Sequence, residues 1–150
     1  MSINQEVEVL RSLPLFQRLE PRRLKLLAFT SERVVFRPGD DVVRQGDAGD
    51  AAYIVLEGEA DVLVDTPDGE LKVATLGCND IIGEIAILID VPRTATVRAN
   101  VPLTTLRITK DNFFNLVTEV PEMGVEIMKE LARRLEKTTA DLRSARAHAA

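Results

Sequence analysis

Tryptophan is missing, histidine and cysteine occur once each, and aromatic residues make up only 4% of the 150. The single cysteine, Cys78, excludes an internal disulfide and any thiolate zinc knuckle, and such sparing use suits a reducing, cytoplasmic setting. The single histidine, His148, sits near the C-terminal end. Histidine-rich metal sites and the Ser–His or Cys–His couples of most hydrolases are thereby excluded. Positive charge is in deficit: 19 Lys and Arg stand against 24 Asp and Glu, a net charge of −5 with a pI near 5.0. No global field is left to hold a nucleic-acid backbone or an anionic membrane, so neither is expected as a partner. Long apolar runs are wanting as well. No stretch approaches the roughly 18 apolar residues of a membrane span. The N-terminus mixes acids among its apolar residues, where a secretion signal would place basic before apolar.

What the sequence does hold fits a single domain over residues 1–150, since a chain of this length buries about two thirds of the surface it exposes unfolded. Residues 1–30 carry helical spacing. Val7, Leu10 and Leu13 fall three apart, Pro14 breaks the pattern, and Leu19, Leu24, Leu27 and Ala28 resume it. Two short helices are predicted, with Pro21 at the first position of the second, where its missing N–H costs nothing. From 31 to 108 the period drops to near two, with β-rich runs at 34–36, 42–43, 52–56, 60–64, 71–76, 94–99 and 103–108. Turn residues separate them, among them Pro38-Gly39-Asp40, Gly46-Asp47, Gly49-Asp50 and Pro67-Asp68-Gly69. The expected fold is α+β, an antiparallel β jelly-roll barrel of seven or eight short strands with short N-terminal helices and C-terminal helices. Residues 109–148 return to helical spacing. Thr109 is the expected N-cap of a helix carrying Phe113, Phe114 and Val117, and Pro121 opens a longer one. There Met128, Leu131, Leu135, Thr138, Leu142 and Ala145 alternate steps of three and four. That is the seam of a coiled coil or of a helix lying along a sheet, and a solvated helix flank and a helix–helix dimer contact both fit it. Gly124, in the same helix, fits either close packing or an opening beside a pocket.

Chemistry concentrates between residues 82 and 95. The stretch Ile82-Gly83-Glu84-Ile85-Ala86-Ile87 joins a strand end, a glycine that lets backbone approach a ligand, an acid and a short apolar helical turn. After a brief insert, Arg93-Thr94-Ala95 enters the next strand. Free N–H groups at the start of the turn favour an anion, and Arg93 can clamp the same anion with its planar fork, which makes a phosphate site without a P-loop. A carboxylate beside a phosphate needs a donor of its own, and a ribose hydroxyl is the natural one for Glu84. An acid and an arginine reading two ends of one small ligand point to a sugar phosphate.

These residues resemble the cyclic nucleotide-binding domains of bacterial catabolite activator proteins, kinase regulatory subunits and nucleotide-gated channels. The family cassette reads roughly F-G-E-φ-A-L, a short insert, then R-[TSA]-A, and only its opening aromatic is replaced here, by Ile82. A second family pattern appears in the early strands as Phe36-Arg37-Pro38-Gly39-Asp40, Gly46-Asp47, Tyr53-Ile54-Val55 and Gly58. The resemblance implies that Arg93 pairs with the cyclic phosphate and that Glu84 accepts from the ribose 2′-hydroxyl. The main chain around Gly83, Ile85, Ala86 and Ala95 would complete the pocket, Thr94 would reach the phosphate or the base, and Val62 and Val73 would line the base pocket. Leu131-Ala132-Arg133-Arg134-Leu135 followed by Thr138-Thr139 is similar to the dimer helix of the catabolite activator branch, in which adjacent hydroxyls touch the adenine amino group from the two subunits. That implies cAMP as the ligand and a homodimer through the last helix. Thr94 is also a residue that some cGMP-selective relatives set against guanine; the reading favours cAMP over cGMP.

With no room after Arg146 for a recognition helix, the expectation is a free-standing or detached sensor that hands a change of shape to an effector protein, not a direct DNA binder and not an enzyme. Two other readings fit the sequence less well. A cupin-like metal enzyme shares the strand pattern but needs several histidines, and a ligand-independent dimeric adaptor has no use for the charged pair Glu84 and Arg93.

Overall fold

The computed structural model describes residues 3–13 and 16–149. The break expected at Pro14 lies outside the described residues. On either side of it run α1 (Ile3–Ser12) and α2 (Pro21–Thr30), the latter with proline in its first turn. Val7, Leu10 and Leu13 are buried with Leu24, Leu27 and Ala28, so the apolar stripes of these two amphipathic helices meet one core.

The strands are β1 (Glu32–Phe36), β2 (Asp41–Val43), β3 (Ala51–Glu57), β4 (Ala60–Thr66), β5 (Gly69–Leu76), β6 (Ile81–Ile82), β7 (Thr96–Ala99) and β8 (Leu103–Thr109). They form two antiparallel sheets, ordered β1-β8-β3-β6 and β2-β7-β4-β5, which is the jelly-roll barrel that the density of turns predicts. Two details differ from the sequence reading. Ile81 and Ile82 add a strand too short to show a period, and Thr94 and Ala95 lie in a bend ahead of β7 rather than in it.

Strand β3 shows why its apolar run is continuous. Successive side chains point to opposite faces. Ala51, Tyr53 and Val55 enter the barrel interior beside Val42, Val97 and Leu103. Ala52 and Ile54 enter a second core, against Leu24, Phe113 and Met123 of the helices. Both faces are covered, so both sets must be apolar.

Between β6 and β7 comes α3 (Glu84–Leu88), and after β8 come α4 (Lys110–Glu119) and α5 (Pro121–Ala149). Thr109 caps α4, its hydroxyl accepting from the Asn112 N–H at 3.3 Å, and Phe113 is fully buried as the pattern requires. Gly124 does not line the cavity described below, and a Cβ there would meet Val117 Cγ1 of α4 at 3.8 Å, an ordinary contact, so packing does not demand glycine at this position either.

The seam expected on α5 is out of phase by one residue at alternate positions. Leu131 packs on the core and Thr138 lines the cavity described below, while Val125, Met128, Leu135 and Leu142 are exposed. The outward stripe runs through Val125, Met128, Ala132, Leu135, Thr139 and Leu142, again in steps of three and four. The side chain of Ala145 lies outside the described residues.

Candidate functional site

Arg93 is 4% exposed, and its surroundings are main chain from the two motif regions. Its own backbone is fixed by the Gly46-Asp47 turn: the Gly46 N–H donates to the Arg93 carbonyl at 2.9 Å and the Arg93 N–H donates to the Asp47 carbonyl at 2.8 Å. Its guanidinium donates from Nη1 to the Gly83 carbonyl at 2.9 Å and from Nη2 to the Ala51 carbonyl at 2.7 Å, with Asp50 Oδ1 at 3.5 Å. A guanidinium has five N–H groups, so donors remain for an anion.

Gly83 has to be glycine here. Its φ is +88°, and an added Cβ would stand 2.1 Å from Arg93 Nη1. Gly49 is also pressed close, since a Cβ there would lie 2.7 Å from the Ala86 Cβ; the turn before β3 thus seats α3 directly.

Glu84, the first residue of α3, is 2% exposed. Its Oε1 accepts from Nη1 of Arg134, which comes from α5, fifty residues on. Nη2 of Arg134 donates to the Ile81 carbonyl at 3.1 Å, and its Nε stands 3.7 Å from Glu130 Oε1. Burial pushes the Glu84 carboxyl above the usual range, and the Arg134 charge opposes that shift without cancelling it. The sequence reading gave Glu84 a ribose hydroxyl as its donor; in this structure a helix arginine holds the carboxylate.

Glu84 and Arg93 border one cavity of about 390 Å³, within the roughly 300–1,000 Å³ of small-molecule sites. Gly83, Ala86, Thr94, Ala95, Val62 and Val73 line it as well, so the structure brings these predicted residues together. Val73 is half exposed, and it sits at a bulge, because Val62 pairs with Ala74 while Leu63 pairs with Lys72. The main chain of Ile85 lies in α3, beside the cavity wall; its side chain is outside the description. From α5, Thr138 lines the cavity and Thr139 does not: its hydroxyl donates to the Leu135 carbonyl at 2.8 Å on the exposed side. Sequence reasoning missed Arg134, Lys137 and Asp141, all of which border the cavity. The Arg133-Arg134 doublet was visible, but a charge on an amphipathic helix carries no sign of which face meets the barrel.

The arrangement suits a small anion with a sugar attached. Cation, carboxylate and apolar strand wall sit in one cleft. No helix among the described residues is long and apolar enough to cross a membrane.

Comparison with known proteins agrees with the geometry. A CRP-like cAMP-activated global transcriptional regulator of Mycobacterium tuberculosis is 29% identical over 136 residues, covering 90% of this chain and 61% of the relative. The chain therefore spans less than two thirds of that protein's length. The sensor domain of the transcriptional regulator DNR from Pseudomonas aeruginosa superposes with a TM-score of 0.78 at 25% identity, covering 90% of this chain and 91% of that one. The regulatory subunit of a cAMP-independent protein kinase A from Trypanosoma brucei gives 0.76 at 26%, over 87% of this chain and 47% of its own. The profile of the cyclic nucleotide-binding domain matches residues 33–119, which is more than half of the sequence and includes Gly83, Glu84 and Arg93. The chain belongs to the cyclic nucleotide-binding domain family.

Proposed function

We propose that residues 1–150 form one cytoplasmic sensor domain that binds cAMP and works by changing shape, without catalysing a reaction. The observation that carries this reading is the buried Arg93 fork, held by the Gly83 and Ala51 carbonyls in a cavity that also holds the buried Glu84 carboxylate. A cyclic phosphate fits the spare donors of Arg93, and the 2′-hydroxyl of the ribose fits Glu84 as a donor. Arg134 then links ligand to output. Its contact with Glu84 joins α3 to α5, so a ribose that donates to Glu84 changes the partnership that seats the long helix. The exposed stripe of Val125, Met128, Leu135 and Leu142 supports a parallel homodimer through α5, with Thr138 facing the chain's own cavity and Thr139 presented toward the partner's.

A second base reading rests on Asp141. A carboxylate in the cavity wall can accept from the two adjacent N–H donors of guanine, and Thr94 borders the same space. The name of the mycobacterial relative, cAMP-activated, weighs for adenine, while that of the trypanosomal kinase subunit, cAMP-independent, is the reason to titrate both nucleotides.

Calorimetric titration of nucleotide-free protein with cAMP and cGMP tests the reading. Binding at micromolar concentration or tighter is expected, with cAMP the stronger. Arg93→Ala should weaken it by about thirtyfold to several thousandfold, equivalent to roughly 2–5 kcal/mol for a buried charge left unpaired. Folded wild-type protein that gives no heat with either nucleotide ends the proposal. Asp141→Ala leaves the cAMP affinity within twofold on the adenine reading and lowers cGMP affinity at least tenfold on the guanine reading.

A further inference from the structure

Charge on this acidic chain is not spread evenly. Helix α2 carries Arg22, Arg23 and Lys25 and no acid at all. Beside these bases the helix exposes two large apolar side chains, Leu26 at 63% and Phe29 at 78%. Of the chain's six aromatic residues Phe29 alone is exposed. The helix needs neither for its own packing, since Leu24, Leu27 and Ala28 already fill its buried face. The exposed pair belongs to an open groove of about 550 Å³ lined by Arg22, Arg23, Lys25, Leu26, Phe29 and Glu119. Glu119, its single acid, is engaged by Arg23 at 2.6 Å. Arg22 faces only the distant edge of Glu20, at 4.0 Å, and Lys25 makes no ion pair among the described residues.

We infer that this groove docks an acidic amphipathic helix of an effector protein, with apolar side chains of the partner on Leu26 and Phe29 and its carboxylates on Arg22 and Lys25. Charge complementarity selects the partner: Lys25, without an ion pair, and Arg22, with only the 4.0 Å contact to Glu20, flank an apolar floor, and among the described residues of α1 and α2 no other such patch occurs. The size of the patch favours a protein segment over a bilayer, because its apolar floor is only Leu26 and Phe29, the width of one helix face, and the acid Glu119 borders it. The location gives the groove a use. Glu119 closes α4, and two residues later Pro121 begins α5, so a helix seated on the Arg23–Glu119 pair touches the start of the helix that carries Arg134 to Glu84. Only that link to the nucleotide rests on the function proposed above; the docking itself does not.

The probe is a fluorescein-labelled helical peptide with leucine at positions i, i+3, i+4 and i+7 and glutamate elsewhere, titrated by anisotropy with nucleotide-free protein. A peptide with lysine in place of glutamate, and vesicles of equal phosphatidylserine and phosphatidylcholine, are run in parallel. Saturable binding of the acidic peptide, with at least tenfold loss in Phe29→Ser and in the double variant Arg22→Glu with Lys25→Glu, supports the inference. Both variants alter exposed side chains, and unchanged melting curves establish that they fold. Binding that survives both variants, equal binding of the lysine peptide, or vesicle binding without peptide binding each overturns it. Because no nucleotide is present, a failed nucleotide titration and a failed peptide titration point to different errors.

Discussion

A guanidinium held by two main-chain carbonyls is in position before any ligand arrives, so little of its binding energy goes to ordering it. Arg93 has that property, and the Gly46-Asp47 turn and the β3 start supply it; the two sequence patterns are thus halves of one structure. Glu84 is different, because its environment is in tension. Burial raises its proton affinity and Arg134 lowers it, with burial the larger. The sign of the consequence follows. An unfolded chain titrates Glu84 near its ordinary 4.5, whereas the folded chain holds the proton to higher pH. The stability that Glu84 contributes is therefore complete below that ordinary value and is lost as pH rises through the raised one. Glu84→Gln cannot ionise. Its urea midpoint, measured without ligand, should gain on wild type as pH climbs from below 4.5 to neutrality, and parallel curves would overturn the assignment. The same variant should narrow the preference for ribose over 2′-deoxyribose cyclic nucleotides. Arg93 and Glu84 were legible because each sits in a short local motif. Arg134 was not, because its role depends on a contact across fifty residues, which spacing within one helix cannot report.

Among helices and strands, the elements that followed the sequence are those with one dominant period. Thr109 and Pro121 bound α4 and the start of α5 where capping chemistry places them. The two-residue β6 shows no period at all, and the bend at Thr94 and Ala95 is imposed by the site, since Arg93 turns inward to meet Gly83 just before them. The phase of α5 failed for another reason. Leu131 and Leu135 are both apolar, and either fits a seam; only the barrel, by covering Leu131, assigns Leu135 to the outside. That assignment makes a prediction. In the proposed homodimer Leu135 would occur twice, and burying each copy would contribute roughly 1.5–3 kcal/mol. Leu135→Glu, alone or with Met128→Glu, should therefore weaken the dimer more than a hundredfold in sedimentation equilibrium. Substitution of Leu131 should instead lower the melting temperature, because that side chain packs on the core. Wild-type protein that sediments as a monomer would remove the seam.

The two cores divide the labour of the fold. One fills the barrel between the sheets, and the other joins α1, α2, α4 and the first turns of α5 to the outer face of β3. The cavity lies where strands β4, β5 and β7, helix α3 and the middle of α5 converge, so no single element contains it. The unfolded chain cannot reproduce such a site, and a ligand that fills it binds the folded state alone. Mass action then fixes the stabilisation: at a hundredfold excess over its dissociation constant, a nucleotide adds about 2.7 kcal/mol. For a chain of this length each kcal/mol moves the melting temperature by about 2–4 °C, so a rise of roughly 5–10 °C is expected. The rise should keep growing with the logarithm of nucleotide concentration, and in Arg93→Ala at the same concentrations it should fall to about a third of its size or less. A rise of equal size in that variant would mean that the nucleotide binds elsewhere on the molecule, and the cleft between barrel and last helix would lose its claim to be the site.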